Sequence, residues 1–299
     1  MDLEGSLSND KITILDSLLN GFRHLLVRFG LQHYISAIRA LVHFGPWRVI
    51  LEFLIRQTKP PKLSAYGAEE SLLGIVDSKT IAEELHKNSV VSMGELPLQF
   101  VHQLRSITDR LPVSLYQHMY AIDESVRQLA DDPAVMNVLR EYFQCEPVLI
   151  ESSFFITGPH EKHGIGGENY FHFDYAAGRS LNVFVYLNDV TMDSSYHVVA
   201  KGSHRKITVH DAFRKCLSDE EVQHRFGSSI QPILGSAGTI FFENTEAFHK
   251  RFPNGDERRL LTLKFSTHRS WMSYGRASKH NLMRRKRIYD LVASSAKKT

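Results

Sequence analysis

Cysteine is nearly absent: the 299 residues contain two, Cys145 and Cys216, too few and too far apart for a disulfide framework or a zinc ribbon. Charge of one sign is lacking as well. Lys and Arg number 36 against 33 Asp and Glu, a formal net charge of +3, without the large basic surplus of a nucleic-acid-binding protein. There is no uninterrupted apolar run of the ~20 residues that cross a bilayer, because Arg23, Arg28, Arg39, Arg48 and Glu52 break the hydrophobic stretch near the N-terminus. Residues 1–9 are acidic and polar, where a secretory signal needs a basic start and an apolar core. These absences exclude several classes and predict a reducing, cytoplasmic setting. What remains, 42% apolar and 23% charged residues, is the composition of an ordinary globular protein with a well-buried core.

Across residues 11–57 apolar residues recur three and four apart (Ile12, Leu15, Leu18, Leu19, Phe22, Leu25, Leu26), the spacing of amphipathic helices. Two readings stand: a helical layer on the main domain, or a face for a membrane surface or a partner protein. Lys59-Pro60-Pro61-Lys62 reads as a linker, because consecutive prolines lack amide donors and stop a helix. The predicted organisation is a helical extension and linker over 1–62, a domain over 63–275, and a basic tail over 276–299. That tail has eight Lys or Arg from Arg276 onward against Asp290 alone; it reads as a solvated helix or as a contact for an acidic partner or lipid surface. Helical patterning up to Phe143 gives way after Pro147 to short β-rich runs at 149–156, 181–187, 197–200, 230–234, 239–242 and 260–265. Strands following helices predict an α+β fold, a β-sandwich or jelly roll flanked by helices.

Within this β-rich half, His172 and Asp174 are two residues apart, so in extended chain they point to one face and can share an ion. Two ligands are not enough. His249 follows the apolar run 239–242 and precedes the turn Pro253-Asn254-Gly255, where a neighbouring strand can deliver a third. Two imidazoles and one carboxylate leave about three open positions on an octahedral metal, the arrangement of non-haem Fe(II) oxygenases.

The chain resembles the phytanoyl-CoA dioxygenase family of Fe(II)/2-oxoglutarate oxygenases. The resemblance rests on His172-Phe173-Asp174, on Leu181-Asn182-Val183-Phe184-Val185-Tyr186-Leu187-Asn188-Asp189, on Val198-Val199-Ala200-Lys201-Gly202-Ser203-His204-Arg205, on Gly238-Thr239-Ile240-Phe241-Phe242 through His249 and Asn254, and on the strand opening with Arg258-Arg259. It spans roughly residues 77–270. It implies a cupin-like double-stranded β-helix, His172, Asp174 and His249 as Fe(II) ligands, 2-oxoglutarate as cosubstrate with O2, and hydroxylation of a small-molecule or lipid-like substrate with release of succinate and CO2. An arginine on the last core strand would pair with the distal carboxylate of 2-oxoglutarate. Arg258 matches the family pattern, while Arg259 shares a strand face with Leu261 and Leu263, so both stay open. Tyr186 and Phe154 stand where relatives line the cosubstrate pocket. Asp174 is retained where related halogenases have a small residue, which favours hydroxylation over halogenation and leaves desaturation or ring formation open.

Three departures from the family pattern stand out. Lys201 replaces the usual Pro, Ser194-Ser195-Tyr196-His197 replaces a Gly-containing turn, and Arg251 replaces a small or hydroxyl residue. The first two touch no metal ligand, and Arg251 reads either as a contact for the cosubstrate or an anionic substrate group or as a surface arginine in a loop. His160, His163, His197 and His204 have no uniting spacing for a second metal, and residues 164–167 read as a loop over the site, lacking the strand-to-helix context of a phosphate loop. Two other functions share these residues: a catalytically idle binding module, and a zinc hydrolase, for which no general base is apparent.

Overall fold

The computed structural model describes residues 43–158, 168–175, 178–214, 216–269 and 279–295, together with 18, 21, 22, 25, 26 and 28–31. The helical reading of residues 11–42 therefore lies largely outside the described residues, as do residues 164–167, His160 and His163. In chain order the elements begin with helices α1 (Trp47–Thr58) and α2 (Ser78–Asn88), strand β1 (Val90–Glu95), and helices α3 (Leu98–Arg110), α4 (Met119–Ile122), α5 (Glu124–Ala130) and α6 (Pro133–Phe143). Then come β2 (Val148–Thr157), β3 (Phe171–His172), β4 (Ser180–Tyr186), β5 (Tyr196–Ala200), α7 (Val209–Arg214), β6 (Cys216–Leu217), α8 (Asp219–Phe226), β7 (Ile230–Ile233), β8 (Thr239–Glu243), β9 (His249–Phe252), β10 (Arg258–Ser266) and α9 (Lys279–Ser295).

The strands form two five-stranded sheets, in the orders β1-β8-β4-β10-β2 and β6-β3-β9-β5-β7, and every strand pair is antiparallel. All seven residues of β4 are buried, and period-two alternation divides them between two cores. Leu181, Val183 and Val185 join Leu261, Leu263, Ile240 and Phe242 in a cluster shared with the helices. Phe184 and Tyr186 join Phe241 and Leu260 in a second cluster that also holds Tyr196, Val199 and Phe248 of the other sheet. The sheets therefore face each other across the second cluster. The helices start where short polar side chains satisfy free N–H groups: Asp132 accepts from Ala134 and Val135 of α6 while also holding Ser71 and Leu72, and Ser218 opens α8 with a capping box.

The proline linker and the C-terminal helix α9 are both tied to this body. The proline linker is pinned, since Glu146 N donates to Lys59 O and Lys62 N donates to the Glu146 carboxylate. The C-terminal segment is more than a solvated helix. Leu282 is buried, Ile288, Tyr289 and Val292 pack on the first cluster, and Lys286 Nζ donates to Ile122 O at 3.2 Å. Among the described residues no helix is long and apolar enough to cross a membrane.

Helix α1 is held by ion pairs. Arg48 reaches Glu52 at 2.9 Å and Glu246 at 2.8 Å, and Glu52 meets Arg179 at 3.3 Å. Burial pushes the Glu246 carboxyl up, but Arg48 and then His43 outweigh it and hold it down at about 2. A carboxyl depressed below its unfolded value contributes stability that is present above that value and disappears as pH falls toward the folded value. Acid unfolding of the wild type is therefore expected to draw on this group between about pH 4.5 and 2, and Glu246→Gln should remove that part of the profile. Arg48→Ala, which leaves Glu246 buried with a weaker partner, should cost about 3 kcal/mol in denaturant unfolding.

Candidate metal centre

Register delivers the three candidate ligands to one place. In the second sheet β3 pairs with β9 so that His172 and His249 are direct cross-strand partners, their ring centroids 4.4 Å apart. Asp174 follows two residues after His172, and its N–H donates to Thr245 O at 2.7 Å, which ties this turn to the one ahead of β9. The ligand atoms of His172, Asp174 and His249 all lie within 4.8 Å of one another, making them the group of three among the described residues suited to holding a metal. Ligands about 2.1 Å from one ion span up to roughly 4.2 Å, so shifts of a few tenths of an ångström close the site.

The polar surroundings fit that donor set. His172 Nδ1 lies 2.9 Å from Tyr170 O, and His249 Nδ1 lies 2.9 Å from Ala247 O. A carbonyl can only accept, so each Nδ1 carries the proton and each Nε2 lone pair is free for an ion. Burial, then the neighbouring His172, lowers His249 to about 4, against the opposing pull of Glu243 and Asp174; the imidazole is neutral near pH 7, as a ligand must be. Burial would raise Asp174, but Lys264, His249 and His172 hold it well below the usual carboxylate range. Lys264 Nζ donates to Asp174 Oδ2 at 3.3 Å.

The Gly202-Ser203-His204 run has a mechanical role. Gly202 takes φ +72°, and a Cβ there would stand 3.1 Å from Lys87 O, so the tight turn and close approach require glycine. The turn places the buried Ser203 hydroxyl to accept Phe248 N–H at 2.7 Å, while Phe248 O accepts from Ala200 N. His249 is the next residue. Ser203→Ala leaves a buried N–H unpaired and should cost about 1–2 kcal/mol. Its metal affinity should fall by about tenfold, as read by titration with Fe(II) or Mn(II).

All three candidate ligands line a cavity of about 370 Å³ with Glu151, Phe155, Thr157, Asn182, Phe184, His197, Arg251, Arg258, Thr262 and Lys264 among its walls. A larger cavity of about 670 Å³ is lined by none of these residues. Arg258 enters from the start of β10 and is buried, with no hydrogen-bond partner for Nε or Nη1. Burial lowers its pKa, and Arg251 adds to the effect against Tyr186 and Glu168. Arg259 points the other way: it pairs with Glu257 at 2.6 Å and with Asp109. Alternation along β10 thus separates the two arginines.

Two further expectations need correction. Phe154 lies on the opposite face of β2 from the cavity residues Glu151, Phe155 and Thr157, in the first cluster, where its ring meets Tyr116 edge-on at 5.9 Å. Pairing with β10 is regular from Glu151 to Thr157, so plain alternation, which the resemblance did not take into account, sets Phe154 on that opposite face. Tyr186 is on the inner side near Arg258, but its hydroxyl donates to Ile233 O at 2.8 Å, and it is not among the cavity walls. Arg251 is buried on β9, donating to Asn169 Oδ1 at 3.0 Å. His197 lines the cavity, stacked on His249 at 5.4 Å, with Nε2 2.7 Å from the fully buried Glu243 carboxylate. His204 instead lies with its Nε2 3.1 Å from His86 O.

Sequence reasoning missed Lys264, Glu151, Asn182 and Glu243. The signal was present: each is a polar or charged residue inside a strand that is otherwise apolar (Leu-Leu-Thr-Leu-Lys-Phe around Lys264, Leu-Ile-Glu around Glu151). A charge at such a position needs a buried partner or a ligand.

No model of a known protein family matches the chain, and no curated protein matches it in sequence. Solved structures do match in fold. EctD from S. alaskensis with bound Fe is similar at a TM-score of 0.51, with 17% identity over 70% of this chain and 83% of that one. HygX from Streptomyces hygroscopicus with iron bound is similar at 0.50, with 14% identity over 64% of this chain and 87% of that one. The chain thus shares an α+β fold with these two iron-bound proteins.

Proposed function

We propose that the chain is an Fe(II)/2-oxoglutarate-dependent dioxygenase on a double-stranded β-helix, related to the phytanoyl-CoA dioxygenase family, that hydroxylates a small-molecule substrate and releases succinate and CO2. One observation carries the reading: three converging metal-type donors and a buried guanidinium with two unpartnered nitrogens line the same cavity. A guanidinium taken out of water without an anion is unfavourable by several kcal/mol. Arg258 therefore fits a ligand carboxylate, which its planar fork receives in a bidentate way.

Bound to His172, Asp174 and His249, Fe(II) supplies the activation of O2 that 2-oxoglutarate oxidation drives. The chain's own residues do the positioning. The two Nδ1–H donors fix the imidazole rings, and the Lys264 ammonium holds one oxygen of Asp174, leaving the other toward the ion. Arg258 anchors the distal carboxylate of 2-oxoglutarate. Phe155, Phe184 and Leu260 displace water around it, which strengthens those charge contacts. The iron in EctD and HygX supports Fe(II) as the metal. With Asp174 kept as a ligand, no position is vacated for a halide, so hydroxylation is the favoured outcome. The cavity's polar walls suit a substrate with hydroxyl, amine or anionic groups.

The test is uncoupled turnover: purified protein with Fe(II), 2-oxoglutarate and O2 should form succinate with matching O2 consumption, and His249→Ala should not. Metal binding without succinate would favour the idle binding module. Turnover with Zn(II) and no O2 requirement would favour a hydrolase.

A further inference from the structure

Helix α1 is amphipathic in the opposite sense to a helix that packs on a core. Its polar residues Arg48 and Glu52 face the protein, in the network with Glu246 and Arg179. Apart from Ile55, which is buried in the first cluster, its apolar residues face outward: Val49 is 72% exposed, Ile50 63%, Phe53 60% and Leu54 52%, with Trp47 and Leu51 beside them. Of the 23 exposed large apolar side chains among the described residues, twelve lie between Leu18 and Leu54; they include Leu18, Phe22, Leu25 and Phe29, spaced four, three and four apart. Exposed apolar side chains concentrated in one segment in this way mark an interaction face.

Charge indicates the occupant. Residues 17–62 contain seven Lys or Arg (Arg23, Arg28, Arg39, Arg48, Arg56, Lys59, Lys62) against one acid, Glu52, in a chain whose overall balance is +3. Arg48 and Glu52 neutralise each other inward, which leaves Lys59 and Lys62 exposed at the end of the apolar face. An apolar face with cations at its border matches an anionic bilayer surface, where acyl chains take the apolar side chains and headgroups take the cations. A second copy of the chain would bring the same cations together.

We infer that the outward face of α1 docks the protein on an anionic lipid bilayer, lying in its interface without spanning it. The same helix adjoins the metal centre. His43 and Phe44, just ahead of it, pack on Tyr175 at 5.4 Å and Phe173 at 6.0 Å, the residues on either side of Asp174, and Arg48 holds Glu246 next to the cavity residue Thr245. Docking therefore places the metal centre close to the lipid surface. The inference concerns location and stands whether or not the cavity performs the proposed oxidation.

The test is cosedimentation of the full chain with sucrose-loaded vesicles of phosphatidylcholine alone or mixed with phosphatidylglycerol. Wild-type protein should pellet with the anionic vesicles, more weakly with the neutral ones, and less at high salt. The double variant Ile50→Glu/Phe53→Glu should bind them about tenfold more weakly or worse, whereas Val113→Glu, at a position 74% exposed elsewhere, should bind as the wild type does. Both variants replace exposed residues, and unchanged circular dichroism and thermal unfolding confirm the fold. Equal binding by wild type and double variant, or no pelleting of the wild type, would overturn the inference. A wild-type dimer in sedimentation velocity that the double variant abolishes would also overturn it, by assigning the face to a second copy.

Discussion

Arg258→Ala is expected to lower 2-oxoglutarate-dependent turnover by about 10²–10³-fold, chiefly by raising KM for 2-oxoglutarate, the scale of losing one side of a buried charge-assisted pair. Arg258→Lys should recover only part of this, because an ammonium is a point charge without the planar fork. Arg259→Ala should leave turnover within about twofold, since its partners Glu257 and Asp109 lie on the outer side and exposed ion pairs contribute little. Without cosubstrate, stability should move the other way. Arg258 is buried with two nitrogens unpartnered, so Arg258→Met, apolar and of similar length, should raise the melting temperature of the ligand-free protein. Steady-state kinetics and thermal unfolding of these four variants read both effects. Loss of activity in Arg259→Ala, with Arg258→Ala unaffected, would reverse the assignment.

Loss of the metal should be the second large effect. His249→Ala and Asp174→Ala each remove one of three donors that meet within 4.8 Å, and each should weaken Fe(II) binding by more than the about 10–100-fold that losing an outer partner produces. Turnover should fall below detection in both. Their folds should survive. His249 is neutral near pH 7 in the ligand-free protein, and removing Asp174 leaves Lys264 opposite Glu151, its cross-strand neighbour on β2. Metal content measured after anaerobic loading, beside circular dichroism, separates ligand loss from unfolding.

Much of this site could be read from the sequence because its candidate ligands obey short-range rules. His172 and Asp174 are two residues apart and do converge, although β3 ends at His172 and Asp174 lies in the segment after it, and His249 opens the strand that follows the apolar β8. The jelly-roll expectation rested on apolar runs, and the strands at 148–157, 180–186, 239–243 and 258–266 were found within a few residues of their expected bounds. The misses have a common physical origin in pairing. Strands β3 and β6 are two residues each, too short for any periodicity, and exist because β9 and β3 supply their edges. Phe154 was placed by resemblance to relatives alone, and alternation over residues 151–157 of β2 turns it away from the face of Glu151, Phe155 and Thr157. For Lys264 and Glu243 no local pattern announces the partner: Lys264 faces the cavity and Glu243 meets His197 only through neighbours on other strands. Helix α1 illustrates the same limit: its period identifies a helix, but only the partners of Arg48 and Glu52 show which face turns inward.

The central claim, one ion held by His172, Asp174 and His249 with 2-oxoglutarate beside it, is tested most directly by visible spectroscopy under anaerobic conditions. Adding 2-oxoglutarate to the Fe(II)-loaded wild type should produce the weak visible absorption of the metal–cosubstrate chelate. The absorption should be lost in His172→Ala and should need far more cosubstrate in Arg258→Ala. No absorption in the wild type, or a spectrum in His172→Ala indistinguishable from it, would contradict the account.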